Sequence, residues 1–238
     1  MAIISGIKIF STGGGGSTTD KYVVPNGMKF AYSALSDFSN LDFSAVRDWN
    51  YMFYNCANLQ EIDASRFNLS EETTLMRMFG YCSSLSSIIT EGLDTSNIEI
   101  MTRLFQGCTS LKSVDLSQWR TSKLTNFDYM FSGCSGLTSV DMSGWDLSGI
   151  SNTTMADTFN GCSSLTNLNM DGATLPAKAI SIGLDSCTAL TVGSLLSVIS
   201  ALPQLEGISY TCTIGSTNLA KLTDEQKAIA TNKHWTLN

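Results

Sequence analysis

Residues 104–119 read LFQGCTSLKSVDLSQW, and the same pattern returns along most of the chain. Six cysteines mark its phase: the first four are 26 residues apart, and the next two follow after 28 and 25 residues. They are Cys56, Cys82, Cys108, Cys134, Cys162 and Cys187. Each has a leucine three residues later, and the first five have a phenylalanine three residues earlier; Leu184 takes that place in the sixth. This repetition predicts a solenoid of stacked coils.

The spacing within one coil predicts its secondary structure. Leu104, Phe105, Cys108 and Leu111 lie at helical spacing, which predicts a short helix or helical turn with one apolar stripe. The alternation that continues to residue 116 predicts a short strand. Because all coils share this pattern, we expect an α+β repeat solenoid, with a parallel sheet on one side and helical turns on the other.

The cysteines are expected to form a column in the core. Side chains in one phase of a solenoid point the same way, and free cysteine packs as a small hydrophobic residue. A zinc site is the alternative, but the chain has no C-x-x-C motif and only one histidine, His234. We therefore predict a structural column of free thiols and no metal or cofactor.

The pattern resembles the BspA-type leucine-rich repeats. The resemblance lies in YMFYNCANLQEID (51–63), LFQGCTSLKSVDLSQW (104–119) and YMFSGCSGLTSVDMSGWDLS (129–148), and it covers roughly residues 37–190. It implies a right-handed leucine-rich-repeat solenoid. It also implies binding or adhesion, because the family is known from bacterial surface proteins, from some protists and from phages of gut bacteria.

Three segments are predicted along the chain. Residues 1–26 form an N-terminal β- and glycine-rich arm, residues 27–190 form the solenoid with a degenerate first coil near Phe30, and residues 191–238 form a helix–strand–helix cap. In the cap, Thr223 and Gln226 have the spacing of a capping box. Residues 214–237 resemble a tail found with this repeat in gut Bacteroidales and their phages, where glycine commonly occupies the position of His234. The local turn is therefore expected to differ here.

The N-terminal arm leaves two interpretations open. Its run of four glycines, residues 13–16, lacks the order of a phosphate-binding loop, so nucleotide binding is not expected. The segment is either a flexible loop or an attachment arm that adds a strand to another chain. The first residues also lack the features of a signal peptide.

The composition argues against several classes of function. The net charge of −7 with 14 basic residues disfavours nucleic-acid binding, and no apolar run of 18 residues predicts a membrane-spanning helix. The single histidine nearly excludes histidine-based catalytic triads. We expect no catalytic residues and no enzymatic activity.

Polar side chains in one strand phase form the candidate binding surface. They are Asp63, Asp115, Asp141 and Asn169, with Ile89 interrupting the series. Three interpretations remain: a solvated ladder without a ligand, a contact surface for a glycan or protein, or a calcium site, which a flat ladder supports poorly.

These observations favour a structural or binding protein of a phage virion: a head fibre, a capsid decoration or a tail attachment protein. Buried free cysteines suit folding in a reducing compartment, and a virion protein needs no export signal. The expected partners are other virion proteins, through the N-terminal arm, and a host surface protein or glycan; a homo-oligomer is also expected. The alternative is a bacterial cell-surface adhesin of the BspA type.

Overall fold

A computed structural model describes residues 2–4, 7–9, 22–31, 33–34, 36–150, 157–176 and 184–238. Its strands are short, mostly of three residues, and recur once per coil. They are β1 (Ala2–Ile4), β2 (Ile7–Ile9), β3 (Tyr22–Val23), β4 (Leu41–Asp42), β5 (Glu61–Asp63), β6 (Ser87–Ile89), β7 (Ser113–Asp115), β8 (Ser139–Asp141), β9 (Asn167–Asn169), β10 (Tyr210–Cys212) and β11 (Trp235–Leu237). The helices are a 3₁₀ turn at Ala64–Arg66, α1 (Val192–Ala201), α2 (Ser216–Leu219) and α3 (Asp224–Asn232).

The coil strands pair in parallel with equivalent residues in register. β5 pairs with β6, and β7, β8 and β9 form a three-stranded sheet in chain order. In each coil the central residue of the strand, such as Val114 or Val140, points into the core. Between the two sheets, the Thr90 hydroxyl donates to the carbonyl oxygen of Asp115 at 2.7 Å. This arrangement confirms the predicted solenoid and its parallel sheet side.

The opposite side of the solenoid is also joined by hydrogen bonds between coils. Of the two predicted forms, a helix or a helical turn, the structure has turns closed by bonds three residues apart, such as Cys108 N to Phe105 O at 3.1 Å. Amides of alternate residues point instead to the next coil, as from Arg103, Phe105 and Gly107. This alternation of amide directions requires left-handed residues at Arg103 (φ +59°) and Gly107 (φ +73°). Because an α-helix needs right-handed residues throughout, the segment does not form one.

Two columns of side chains fill the core beneath this turn side. The rings of Phe30, Phe53, Phe79, Phe105, Phe131 and Phe159 stack nearly parallel, with centroids 5.4–6.0 Å apart. The six cysteines of the predicted column are free and buried, as is Cys212 outside it. Each thiol of the column donates to a phenylalanine carbonyl of the preceding coil, as from Cys108 to Phe79 at 3.1 Å. Cysteine therefore supplies both apolar volume and a weak donor.

Burial changes the chemistry of these thiols. It raises the pKa of Cys56 to about 11 and that of Cys134 to about 12. The thiolate is the reactive form, so these cysteines are inert at neutral pH while the protein is folded.

The C-terminal residues close the end of the core. Thr191 caps α1, whose buried Ser194 and Ser197 hydroxyls accept from the amides of Leu168 on β9 and of Met170 just after it. The helix therefore satisfies the last exposed strand edge of the sheet. The predicted capping box at the start of α3 is present.

His234 adopts the left-handed conformation, with φ +64°, directly after Lys233, the C-cap residue of α3. The expected difference in this turn is therefore absent, because histidine adopts the backbone geometry that glycine favours there.

The N-terminal segment is described only in part. β1 and β2 pair antiparallel, and β3 pairs in parallel with β4 of the first coil. The glycine run at residues 13–16, and with it the choice between loop and arm, lies outside the described residues. The segment boundaries at residues 26 and 190 stay predictions, and the buried core runs across both, from Val24 to Trp235.

Candidate binding faces

The sheet face brings three of the four predicted binding residues together. Asp115, Asp141 and Asn169 occupy equivalent positions on β7, β8 and β9. The Asn169 amide donates to both carboxylate oxygens of Asp141, at 3.2 and 3.3 Å. Asp63 lies apart from this group, in the β5–β6 sheet, where its partner in register is Ile89.

Each of these side chains also ends its own strand. The Asp115 carboxylate accepts from the Ser117 amide at 2.9 Å and from the Ser117 hydroxyl at 2.7 Å. Asp63 and Asp141 bind the residue two positions later in the same way. This is an Asx turn, in which a short polar side chain takes the place of a backbone acceptor.

The Asx turn recurs around the solenoid, beyond the predicted site. It is formed by Asp37, Asp42, Asp48, Asp63, Asn68, Asp94, Asp115, Asn126, Asp141, Asp146 and Asn169. The recurring D-x-S triplet is the sequence signal for it. Of these residues, only Asp63, Asp115, Asp141 and Asn169 are binding candidates from the sequence, and that prediction does not include their role in the turn. Their conformation on the sheet face is therefore fixed before any ligand arrives.

Hydrogen bonds hold the pKa of several of these carboxyl groups below its ordinary value. For Asp141, burial raises the pKa, but hydrogen bonds from Ser143 and Asn169 together outweigh it and leave the pKa below its ordinary value. For Asp37, the hydrogen bonds from Ser39 lower the pKa. The sheet face is consequently an ordered, negatively charged surface.

A groove of about 270 Å³ lies at the N-terminal end of the sheet face. Its floor includes Phe38 and Ile62, and its rim includes Asp37, Glu61 and Asp63. Ile89, whose interruption of the ladder was noted from the sequence, lines the groove and is 52% exposed. We call this feature the Ile89 groove.

Arg66 gives the Ile89 groove its shape. Its guanidinium donates to the carbonyl oxygen of Ser39 at 3.2 Å and to that of Leu41, and so joins the second coil to the first. The guanidinium keeps its positive charge, but the three rim carboxylates outnumber it, so the groove is acidic on balance. The groove combines an exposed aliphatic side chain with acidic walls, and only Ile89 and Asp63 were singled out from sequence.

The described residues show no convergence of ligands for a metal: no group of three or more His, Cys, Asp or Glu lies close enough to hold an ion. None of the helices in the described part of the chain has the length and apolar character to cross a membrane.

Comparison with known proteins gives one family and one structure. The model of a family described as "Mycoplasma protein of unknown function, DUF285" matches residues 26–92 and 89–175. A solved leucine-rich repeat protein of T. pallidum is similar at 21% identity and a TM-score of 0.41, over 79% of this chain and 85% of that one. No curated protein matches the sequence at a significant level.

Proposed function

Because the chain belongs to the DUF285 family, whose model matches more than half of it, we propose that it is a non-enzymatic binding protein of the BspA-like leucine-rich repeat type. The solenoid supplies a rigid scaffold, and the sheet face supplies the contact surface. The observation that carries this proposal is the Ile89 groove, in which an isoleucine 52% exposed lies beside ordered carboxylates.

The partner class follows from the chemistry of the groove. A half-exposed isoleucine offers apolar contact, and the rim carboxylates of Asp37, Glu61 and Asp63 attract positive charge. A host surface protein that presents a lysine or arginine beside an aliphatic side chain fits this combination. The Asx turns hold Asp37 and Asp63 in place, which lowers the entropic cost of binding.

The proposed setting is a phage virion, in a head fibre, capsid decoration or tail attachment protein. Seven buried free cysteines support folding in a reducing compartment, which is where virions assemble. A bacterial cell-surface adhesin is the second candidate, supported by the family resemblance.

Mass spectrometry of purified phage particles, beside the washed cell envelope of the source culture, tests the setting. A stoichiometric amount of the chain in particles supports the virion proposal. Presence in the envelope alone overturns it in favour of the adhesin.

The groove is tested separately by adding the labelled full chain to intact host cells. Ile89→Thr is expected to reduce cell binding at least tenfold, because it removes the exposed apolar contact. Ile208→Thr is the matched control, since Ile208 is 57% exposed but lies outside the groove. Equal binding by both variants would exclude the groove as the contact site.

A further inference from the structure

The turn side carries a surface of large side chains that the proposed function does not use. It consists of Tyr51, Tyr54, Arg77, Tyr81, Arg103 and Tyr129, which we call the tyrosine–arginine face. Tyr51 and Tyr81 are 37% and 42% exposed. Tyrosine and arginine are among the residue types enriched at the hot spots of protein interfaces.

The side chains of this face hold one another in place. The Tyr54 ring meets Tyr51 and Tyr81 edge to face, with centroids 5.6 and 5.7 Å away. The Arg77 guanidinium lies 5.8 Å from the centre of the Tyr51 ring and 5.7 Å from that of Tyr54. Arg103 lies over Tyr129 at 4.6 Å. The face is therefore ordered without a ligand, which favours binding.

The backbone beneath the face would suit glycine better than these residues. Tyr51, Arg77, Tyr81 and Arg103 have φ between +52° and +61°, a region that side chains disfavour. Glycine takes only the place of Tyr81 in later coils, at Gly107, Gly133 and Gly161. Arg77, Arg103 and Tyr129 share the repeat position of Tyr51. Tyr81 is thus a large residue where later coils have glycine, and the position of Tyr51 carries a large residue in four successive coils.

The charges of the face are unevenly distributed. In the described part of the chain, the ion pairs are made by Lys29, Arg47 and Lys227, and Arg77 makes none. Its buried ε-nitrogen also has no hydrogen-bond partner among the described residues. Carboxylates lie at the far end, where the hydroxyl of Tyr129 is hydrogen-bonded to Asp157. The Arg77 end is therefore the part of the face that attracts anions.

We propose that the tyrosine–arginine face binds an acidic polysaccharide. Tyrosine rings offer flat surfaces on which pyranose rings stack, and the planar guanidinium forms paired hydrogen bonds with a sugar carboxylate. The face also repeats along the solenoid axis, where successive coils are 5.4–5.8 Å apart at the phenylalanine column. That step is comparable to the length of one pyranose unit, so a chain lying along the axis would meet one coil per sugar.

Calorimetric titration of the full chain with polygalacturonic acid tests the proposal, with neutral dextran and poly-glutamate as comparison probes. Binding to polygalacturonic acid that weakens at least tenfold on raising the salt to about 0.5 M is expected. Absence of binding overturns the proposal. If dextran binds equally well, the ligand need not be acidic, and this part of the proposal is wrong. If poly-glutamate binds equally well, the ligand need not be a sugar, and that part is wrong.

Two variants locate the site. Arg77→Gln is expected to weaken binding at least tenfold, whereas Arg120→Gln, which removes the same charge from an exposed position outside the face, changes it less than twofold. Tyr51→Gly gives a second variant, because glycine accepts the left-handed backbone. Equal losses for Arg77→Gln and Arg120→Gln would show non-specific charge attraction. Ile89→Thr is expected to leave this binding unchanged, which separates it from the groove.

Discussion

On both faces of the solenoid, the backbone forms hydrogen bonds to the next coil. The two faces differ in their outward side chains, which are short and polar on the sheet face and large on the turn side. On the sheet face, three-residue strands pair in parallel, and short polar residues such as Asp115 and Ser117 fold back onto the chain. On the turn side, alternate amides also bond to the next coil, but the outward residues are large, as at Tyr51, Arg77 and Tyr81. Inter-coil bonding thus satisfies the backbone on both sides.

This difference separates what stabilises the fold from what the fold displays. The Asx turns of the sheet face recur in nearly every coil, including coils far from the Ile89 groove, so their first role is structural. The large left-handed residues of the turn side lie in four coils, and glycine replaces one of them, Tyr81, in later coils. Their retention is easier to explain by a contact with a partner than by stability.

The largest expected loss of stability comes from replacing a left-handed glycine by alanine, and the loss should differ between the two faces. Gly144, after β8, has φ +70° and open space around its missing Cβ, so Gly144→Ala should cost only backbone strain, about 1–2 kcal/mol. Gly107 has φ +73°, but a Cβ there would lie 2.6 Å from Cδ1 of the Tyr81 ring. Gly107→Ala should therefore cost about 2–4 kcal/mol in urea unfolding.

The double variant Tyr81→Gly/Gly107→Ala sharpens this comparison. Removal of the ring leaves only the backbone strain of an alanine at the left-handed position, so the cost of the methyl group should fall to the value measured at Gly144. If the cost at Gly107 is unchanged without the ring, the tyrosine does not lie over the glycine as described.

A smaller loss of stability is expected at low pH, and the aspartates of the Asx turns should cause it. Hydrogen bonds from Ser39, Ser96 and Ser148 lower the pKa of Asp37, Asp94 and Asp146 below 3.8 in the folded protein. Such groups stabilise the fold above their unfolded-state pKa, and this contribution is lost as the pH falls through the folded-state pKa. Each exposed site should contribute less than about 1 kcal/mol.

Replacing these three aspartates by asparagine should flatten the fall of unfolding free energy between about pH 5 and pH 2. Asparagine keeps the turn, as Asn68 and Asn169 do, so the variant should remain folded. The reverse change, Asn68→Asp, should steepen the fall. An unchanged slope in both variants would remove the Asx turns from the acid response.

Most of the architecture could be predicted from the sequence, but the conformation of the turn side could not. The phase of Cys108 and Val114 was sufficient to predict the stacked coils, the thiol column and the parallel sheet, because side-chain burial repeats with the coil. The turn form could not be predicted, because apolar residues at helical spacing fit a helix and a chain of turns equally well. Alternating left-handed residues such as Arg103 leave no compositional signal when they are not glycine.

The candidate sites show the same limit. Asp115, Asp141 and Asn169 lie side by side because register follows from the repeat, and their role in binding stays a prediction. The Ile89 groove depends on how Arg66 joins the first coil to the second, across a step of 23 rather than 26 residues from Phe30 to Phe53, and this irregularity falls outside the repeat. The tyrosine–arginine face could not be predicted, because its outward direction depends on left-handed turns that helical spacing does not reveal.

The smallest expected change in stability comes from Tyr81→Gly, and it tests whether the turn side is built for display. The variant loses the edge-to-face contact with Tyr54, worth about 0.5–1.5 kcal/mol, and gains chain entropy in the unfolded state, worth about 0.5–1 kcal/mol. Relief of the left-handed strain at φ +61° returns about 1–2 kcal/mol, so the net change in unfolding free energy should stay within about 1 kcal/mol. Tyr81→Ala loses the ring without that relief and should be less stable than Tyr81→Gly by about 1 kcal/mol. A loss of several kcal/mol in Tyr81→Gly would instead make the tyrosine a structural residue, and the contrast between the two faces would then be one of packing rather than of display.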